Sequence, residues 1–130
     1  MNIVLVHPEI PQNTGSIGRL CVNLNSTLHL IEPLGFSLEE KMVRRAGLDY
    51  WPHLDLRVHT SWDAFLESER PSRLMVATTK SERCAFDYRF ESGQYLVFGN
   101  ESRGFAPEFL ERYREVTYAL PMPGRFHRSI

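Results

Sequence analysis

Short, largely apolar runs alternate with segments of helical spacing, and this alternation limits the possible folds more than any other feature of the sequence. Each run holds five or six residues, which is typical of a strand buried on both faces of a sheet. The runs that predict strands lie at 2–6, 27–31, 55–59, 73–78, 94–98 and 115–120. Strands separated by helices predict one α/β domain over 1–130, a parallel sheet with helices on both faces.

Four segments between these runs predict helices, at 14–24, 38–46, 61–68 and 107–113. Asn13 or Thr14 is the predicted N-cap of the first helix, and Thr60 is that of the third. Pro107 suits the first position of the fourth helix. An apolar stripe at helical spacing runs along the first helix: Ile17, Leu20, Cys21 and Leu24.

The charge balance restricts how this chain can bind a partner. It has 15 basic and 16 acidic side chains, a net charge of −1. A protein that binds nucleic acid by charge alone is clearly basic, so nucleic-acid binding here requires a local patch, a partner subunit or a shaped pocket. The 42% apolar and 24% charged residues are ordinary globular usage and exclude a disordered or collagen-like chain.

Neither a secreted scaffold nor a metal centre is indicated. Cys21 and Cys84 form no CxxC pair and no disulfide framework, which predicts reduced thiols and no structural zinc. The first residues lack the features of a signal peptide, and no apolar run approaches the ~20 residues of a membrane span, so we predict a cytoplasmic protein without membrane contact. No metal site is predicted, because the histidines are scattered along the sequence: His7, His29, His53, His59 and His127.

Three segments have the composition of ligand loops, and two of them directly follow predicted strands. Segment 13–19 contains two glycines and Arg19, segment 99–104 contains two glycines with Glu101 and Arg103, and segment 120–130 combines a Pro-Met-Pro-Gly turn with basic residues. Ligands of open α/β sheets bind at the carboxyl ends of strands. Plainer alternatives are a glycine pair that lets a helix pack closely, an ordinary turn and an exposed basic C-terminus.

Taken in order, these segments resemble the three motifs of the SPOUT methyltransferases. The segments Pro-Glu-Ile-Pro-Gln-Asn-Thr-Gly at 8–15, Ile-Glu-Pro-Leu-Gly-Phe at 31–36 and Arg-Ala-Gly-Leu-Asp-Tyr at 45–50 narrow the resemblance. They are similar to the small single-domain tRNA (cytidine/uridine) 2′-O-methyltransferases that act at the wobble position. The resemblance covers essentially the whole chain.

The resemblance implies a trefoil-knotted fold, a homodimer, a tRNA substrate and S-adenosyl-L-methionine (SAM) as the methyl donor. Arg19 matches the arginine thought to assist deprotonation of the ribose hydroxyl, Glu101 matches the acid of the second motif, and Ser129 matches a residue of the third. The positions that match cofactor-binding groups are Ala77, Thr78, Gly99, Leu120, Met122 and Ser129. Basic side chains expected to contact RNA are Lys41, Arg44, Arg45, Arg103, Arg125 and Arg128.

The resemblance also has a limit and leaves alternatives open. Relatives continue with Asn-Leu-Ser-Asn and a C-terminal helix, whereas this sequence stops at Ile130. We therefore expect a domain without that helix and with an incomplete knot. The alternatives are a catalytically inactive module of the same fold that binds SAM or RNA, and an α/β enzyme that acts on a small molecule.

Overall fold

A computed structural model describes residues 1–36, 51–78 and 89–119 of the chain. These residues hold six strands: β1 (Asn2–Val6), β2 (Thr27–Ile31), β3 (Asp55–His59), β4 (Arg73–Ala77), β5 (Gln94–Phe98) and β6 (Thr117–Tyr118). Their helices are α1 (Pro11–Asn23), α2 (Trp62–Glu69) and α3 (Pro107–Arg112), with short 3₁₀ turns at Trp51–His53 and Arg114–Val116. The predicted helix at 38–46 lies outside the described residues.

The six strands form one parallel sheet in the order β3-β2-β1-β5-β4-β6. The chain runs outward from β1 through β2 to β3, and then crosses to the other side of β1 for β4, β5 and β6. The predicted parallel sheet is therefore confirmed. All its strand ends that carry candidate loops lie along one edge.

Helices cover both faces of the sheet, as predicted. Alternate residues of β1 enter two different apolar clusters, with Val4 and Val6 on one face and Leu5 on the other. On the first face they pack with Phe65 of α2 and Phe109 of α3. On the second face Leu5 packs with Cys21 of α1. A continuously apolar strand is thus buried from both sides, which is why its sequence shows no alternation.

Helix α1 differs from its prediction at its start and on its exposed face. It begins at Pro11, and its N-cap is Ile10, without a side-chain cap, so the N-cap predicted at Asn13 or Thr14 is wrong. Proline at the first helical position needs no amide partner and has a favourable φ. The helix buries Gly15 and Gly18, whereas Leu20 and Leu24 of the predicted stripe are 55% and 65% exposed.

Two other predicted boundaries also shift. Ser61, and not Thr60, caps α2, because its hydroxyl accepts a hydrogen bond from the Ala64 amide at 3.0 Å. The last strand, predicted at 115–120, begins only at Thr117, since the 3₁₀ turn occupies the residues before it. The implied knot and the expected lack of a C-terminal helix concern the chain beyond Ala119, outside the described residues.

Candidate active site

The carboxyl ends of β4, β5 and β6 bring the described cofactor candidates together. Ala77 is paired with Phe98 of β5 and with Tyr118 of β6. Thr78 follows Ala77, and its amide donates to the Tyr118 carbonyl at 3.0 Å. Gly99 follows Phe98 directly. Ala77, Thr78 and Gly99 therefore lie at neighbouring strand ends on one edge, where ligands of parallel sheets bind.

Strands β1 and β5 are adjacent, yet the chain leaves them in opposite directions. After β1 it passes through α1 to β2, and after β5 it passes through α3 to β6 on the far side of β4. A crevice at such a switch point is the usual ligand site of an open α/β sheet. Two loops border it, residues 7–10 (the first loop) and residues 99–106 (the second loop).

The second loop folds back on itself, and this requires Gly99. The amides and carbonyls of Asn100 and Gly104 exchange two hydrogen bonds, of 3.1 and 2.8 Å. A Cβ on Gly99 would lie 2.8 Å from the Gly104 carbonyl carbon. Gly104 itself has a φ of +64°, in the left-handed region that favours glycine. The close neighbour of Gly99 is thus the backbone of its own loop.

Glu101 joins the two loops. One of its carboxylate oxygens accepts hydrogen bonds from the amides of Glu9 and Ile10, at 2.8 and 2.5 Å. This places a negative charge beside the N-terminus of α1, where the helix dipole favours it. The partners of this carboxylate are therefore main-chain amides of the first loop.

Asn100 and Ser102 add further bonds between the two loops. The Asn100 side-chain amide donates to the His7 carbonyl at 2.7 Å, and its oxygen accepts from the amides of Ser102 and Arg103. The Ser102 hydroxyl donates to the Glu9 carboxylate at 2.5 Å. That hydrogen bond is the main reason the pKa of Glu9 lies below its usual value. Sequence reasoning missed Glu9, Asn100 and Ser102, because their partners lie more than 90 positions away.

Two buried polar atoms near the first loop have no hydrogen-bond partner within the described part of the chain. They are Nδ1 of His7 and the hydroxyl of Thr14, which is 1% exposed. His7 also has a φ of +54°, which is uncommon for a residue other than glycine. Unpaired buried polar groups and backbone strain cluster at functional sites. Both features therefore agree with a site at the end of β1.

Arg19 lies on an exposed position of α1, about 12 Å along the helix axis from Pro11. Glu101 of the second loop binds the amides of Glu9 and of the N-cap Ile10, directly before this helix. Arg103 is exposed within that loop. The other predicted site residues lie outside the described residues: Lys41, Arg44, Arg45, Leu120, Met122, Arg125, Arg128 and Ser129.

A second polar cluster lies away from this edge, on the face of the sheet covered by α2. His29 of β2 is fully buried, and its two ring nitrogens lie 3.0 Å from His59 Nε2 and from Asn2 Oδ1. The Asn2 oxygen can only accept, so His29 Nε2 carries the proton and His29 Nδ1 accepts from His59. Burial lowers the pKa of His29 to about 4 and also lowers that of His59.

Glu69 completes this cluster at the end of α2. Its carboxylate accepts from Arg57 at 3.1 and 3.2 Å and from the Tyr95 hydroxyl at 3.1 Å. One ligand atom each from His29, His59 and Glu69 lie within 4.8 Å of one another, so these histidines are not scattered in space as they are in sequence. Since protein groups already satisfy these ligand atoms, the cluster is best explained as a buried hydrogen-bond network. Its one local signal in the sequence is a histidine in the middle of an apolar strand.

Comparisons with known proteins agree with this geometry. A model of the SpoU rRNA Methylase family matches residues 1–130. The tRNA (cytidine(34)-2′-O)-methyltransferase of Burkholderia cenocepacia is 50% identical over 124 residues, which cover 93% of this chain and 80% of that protein. A solved structure from work on the 2-OH methylation of C/U34 on tRNA is 48% identical, with a TM-score of 0.89 over 99% of this chain and 84% of the other.

The fold extends to more distant methyltransferases. The SpoU methyltransferase AviRb from Streptomyces viridochromogenes, solved in complex with the cofactor AdoMet, shares 21% identity with a TM-score of 0.75. That alignment covers 100% of this chain and 54% of AviRb. At this identity the likeness concerns the fold.

Proposed function

The chain belongs to the SpoU rRNA methylase family, and on that premise we propose that it is a tRNA (cytidine(34)/uridine(34)-2′-O)-methyltransferase. It transfers a methyl group to the ribose 2′-hydroxyl of the wobble nucleotide. The observation that carries this proposal is 50% identity, over nearly the whole chain, to a tRNA (cytidine(34)-2′-O)-methyltransferase. The match of the family model over residues 1–130 supports a single methyltransferase domain.

The proposed methyl donor is SAM, and the described strand ends fit such a cofactor. Ala77 and Gly99 lie near adjacent strand ends, and a small side chain or none lets a ligand approach the main chain closely. They would hold SAM by main-chain groups together with Thr78, and Leu120, Met122 and Ser129 would complete the set. When bound, SAM supplies a methyl group on a sulfonium, which is already a good leaving group. The reaction therefore needs no metal ion.

The remaining task of the protein is to align the ribose with the methyl donor and to help its hydroxyl lose a proton. An arginine guanidinium is normally protonated, so Arg19 is proposed to stabilise the developing negative charge on the 2′-oxygen rather than to act as a free base. Glu101 supports this arrangement by holding the N-cap of the Arg19 helix. Ser129 is a third catalytic candidate, and only the resemblance supports it.

We propose that tRNA is bound by a homodimer. A net charge of −1 gives one subunit little long-range attraction for RNA, and two subunits would pool their basic groups, namely Arg103 with Lys41, Arg44, Arg45, Arg125 and Arg128. The exposed Leu20 and Leu24 give α1 an apolar surface that a second copy would cover. Light scattering at micromolar concentration tests this, and a purely monomeric mass contradicts it.

We propose a cytoplasmic location, because the proposed substrate, tRNA, is present there. Within the described part of the chain, no helix is long and apolar enough to cross a membrane.

A methyl-transfer assay tests the proposed activity. Radiolabelled SAM is incubated with the protein and a tRNA transcript carrying C34 or U34, and a transcript with 2′-deoxycytidine at position 34 serves as the control. We expect labelling of the first transcript and none of the control, because the control lacks only the nucleophile. Equal labelling of both would place the reaction elsewhere on the RNA.

A parallel SAM titration by calorimetry separates the alternatives. SAM binding without methyl transfer to any tRNA would indicate an inactive module of this fold. The absence of SAM binding would favour an α/β enzyme that acts on a small molecule.

A further inference from the structure

We propose that Glu9 and Ser102 are positioning residues. They fix the position of the Arg19 helix relative to the second loop, as methyl transfer requires. This inference rests on the proposed function and deepens it. Each of the two loops presents one carboxylate to the other. Glu101 of the second loop binds the main chain of the first loop, and Glu9 of the first loop binds the side chain of Ser102.

The reciprocal bonds matter because the two loops carry different halves of the proposed reaction. The first loop leads directly into α1 and Arg19, and the second loop begins at Gly99, in the proposed cofactor set. Strands β1 and β5 fix the starts of both loops, since Leu5 pairs with Phe98. Beyond the strands the two loops lead to different helices. Side-chain hydrogen bonds across the crevice therefore keep the distance between the proposed catalytic and cofactor groups constant.

The Glu9–Ser102 hydrogen bond can be removed while the hydrogen bonds of Glu101 and Asn100 between the two loops remain. The Glu101 carboxylate binds the amides of Glu9 and Ile10, and a Glu9 side-chain substitution leaves those amides in place. The fold of the second loop depends on the Asn100–Gly104 bridge and on the Asn100 side chain, whose oxygen still accepts from the amides of residues 102 and 103. The Ser102 hydroxyl also lies 3.1 Å from the Asn100 oxygen, but its one proton is shared with the closer Glu9 carboxylate, and Ser102 itself is exposed. Truncating Ser102 should therefore loosen the position of one loop relative to the other, while each loop keeps its own conformation.

This predicts a specific kinetic effect. Misplacing reacting groups by fractions of an ångström lowers the rate of the bound complex, and hydrogen bonds to charged groups are among the stronger ones. We expect Ser102→Ala and Glu9→Ala each to lower kcat by roughly tenfold. The dissociation constant of SAM should change less than about twofold, because Gly99 keeps its place at the end of β5.

The experiment is a double-mutant cycle on the full chain with the tRNA transcript carrying C34. Wild type, Ser102→Ala, Glu9→Ala and the double variant are compared for kcat, KM for tRNA, SAM affinity and melting temperature. Ser102→Thr keeps the hydroxyl and should restore kcat. Glu67→Ala, an exposed acidic position on α2 across the sheet, is the matched control and should behave as wild type.

Three results support the pair: a kcat loss at constant SAM affinity, rescue by threonine, and a double variant no slower than the slower single one. A wild-type kcat for Ser102→Ala overturns the proposal, and so does a rate loss that follows SAM affinity or multiplies in the double variant. If Glu9→Ala does not fold, Ser102→Ala and Ser102→Thr still decide the question. Absence of methyl transfer by the wild type instead refutes the proposed function, and this inference with it.

Discussion

At the residue scale, Arg19 is distinguished by an exposed position on a helix whose N-cap is bonded to Glu101 of the second loop. An exposed arginine with a merely structural role costs within about ±0.5 kcal/mol of unfolding free energy when truncated. A group that stabilises the reacting ribose oxygen should instead change the rate. We therefore expect Arg19→Ala to lower the methylation rate roughly a hundredfold or more, while melting temperature and SAM affinity stay near native.

Two further variants sharpen the Arg19 prediction. Arg19→Lys keeps the positive charge and loses the planar fork, so it should recover only part of the rate. Arg112→Ala, at an exposed position on the opposite face of the sheet, is the control and should methylate normally. Methylation by Arg19→Ala at the wild-type rate would show that Arg19 is a surface residue without a catalytic role.

Gly99 and Gly93 show two different reasons for a glycine: a close backbone contact at Gly99 and a positive φ at Gly93. A methyl group on Gly99 would press against the Gly104 backbone at 2.8–2.9 Å, so Gly99→Ala must displace the second loop. We expect a loss of roughly 1–3 kcal/mol in unfolding free energy, with weaker SAM binding. Gly93 has open space around it and a φ of +81°. Gly93→Ala should cost about 1 kcal/mol through backbone strain alone and leave SAM affinity unchanged.

Denaturant unfolding and SAM calorimetry on both glycine variants distinguish the two mechanisms. Unchanged SAM affinity in Gly99→Ala would contradict the placement of Gly99 in the cofactor site.

At the scale of single elements, the N-cap of α2 lies one residue after the predicted one, and this difference can be tested by substitution. Thr60 and Ser61 are both good caps by type. Only the Ser61 hydroxyl accepts from the Ala64 amide. Ser61→Ala should therefore lower the unfolding free energy by about 1 kcal/mol, and Thr60→Ala should change it little. Equal effects of the two substitutions in thermal melts would contradict this assignment.

Strands could be predicted from the sequence because their signal is local. A short apolar run such as Asn2–Val6 or Gln94–Phe98 needs burial on both faces, and no other element of that length provides it. The start of α1 was misplaced although Pro11 is itself a local signal for a first helical position. What the local pattern does not show is the Glu101 carboxylate, which bonds the Ile10 amide from 91 positions away.

In the candidate site too, some residues have a local signal in the sequence and others do not. The glycines of the second loop, Arg19 and Glu101 stood out because ligand loops have an unusual composition at strand ends. The partners that give these residues their geometry, Glu9 and Asn100, look like ordinary loop residues until the sheet brings β1 beside β5. Likewise, Leu20 and Leu24 match the helical period of a buried stripe and are nevertheless exposed, because periodicity does not say which face meets the sheet.

At the scale of the whole molecule, the two faces of the sheet differ in chemistry. The face under α1 is apolar, with Cys21 buried among leucines and its pKa raised to about 11 by that burial. Such a thiol stays protonated and unreactive at neutral pH. The face under α2 instead buries the His29–His59 pair beside Glu69. Folding therefore favours the neutral form of these two histidines, and this preference makes stability sensitive to pH.

The sign of that pH dependence follows from the depressed pKa of His29. A histidine in the unfolded chain titrates near 6.5, and His29 in the folded protein titrates at about 4, chiefly because of burial and despite the attraction of Glu69. Between these values the unfolded chain binds more protons, so lower pH favours unfolding. The stabilisation is fully present above pH 6.5 and is lost as the pH falls toward 4. From pH 7 to pH 5 this amounts to about 2 kcal/mol for His29, and His59 acts in the same direction.

Urea unfolding at half-unit intervals from pH 7 to pH 5 measures this dependence above the range in which carboxylates such as Glu9 and Glu69 protonate. His29→Gln removes the titrating group, so its unfolding free energy should vary less with pH than that of the wild type, whatever its value at pH 7. His53→Gln changes an exposed histidine and should keep the wild-type slope. Equal slopes in the wild type and His29→Gln would mean that His29 is not buried in its neutral form, and the acid sensitivity would have to be sought elsewhere in the chain.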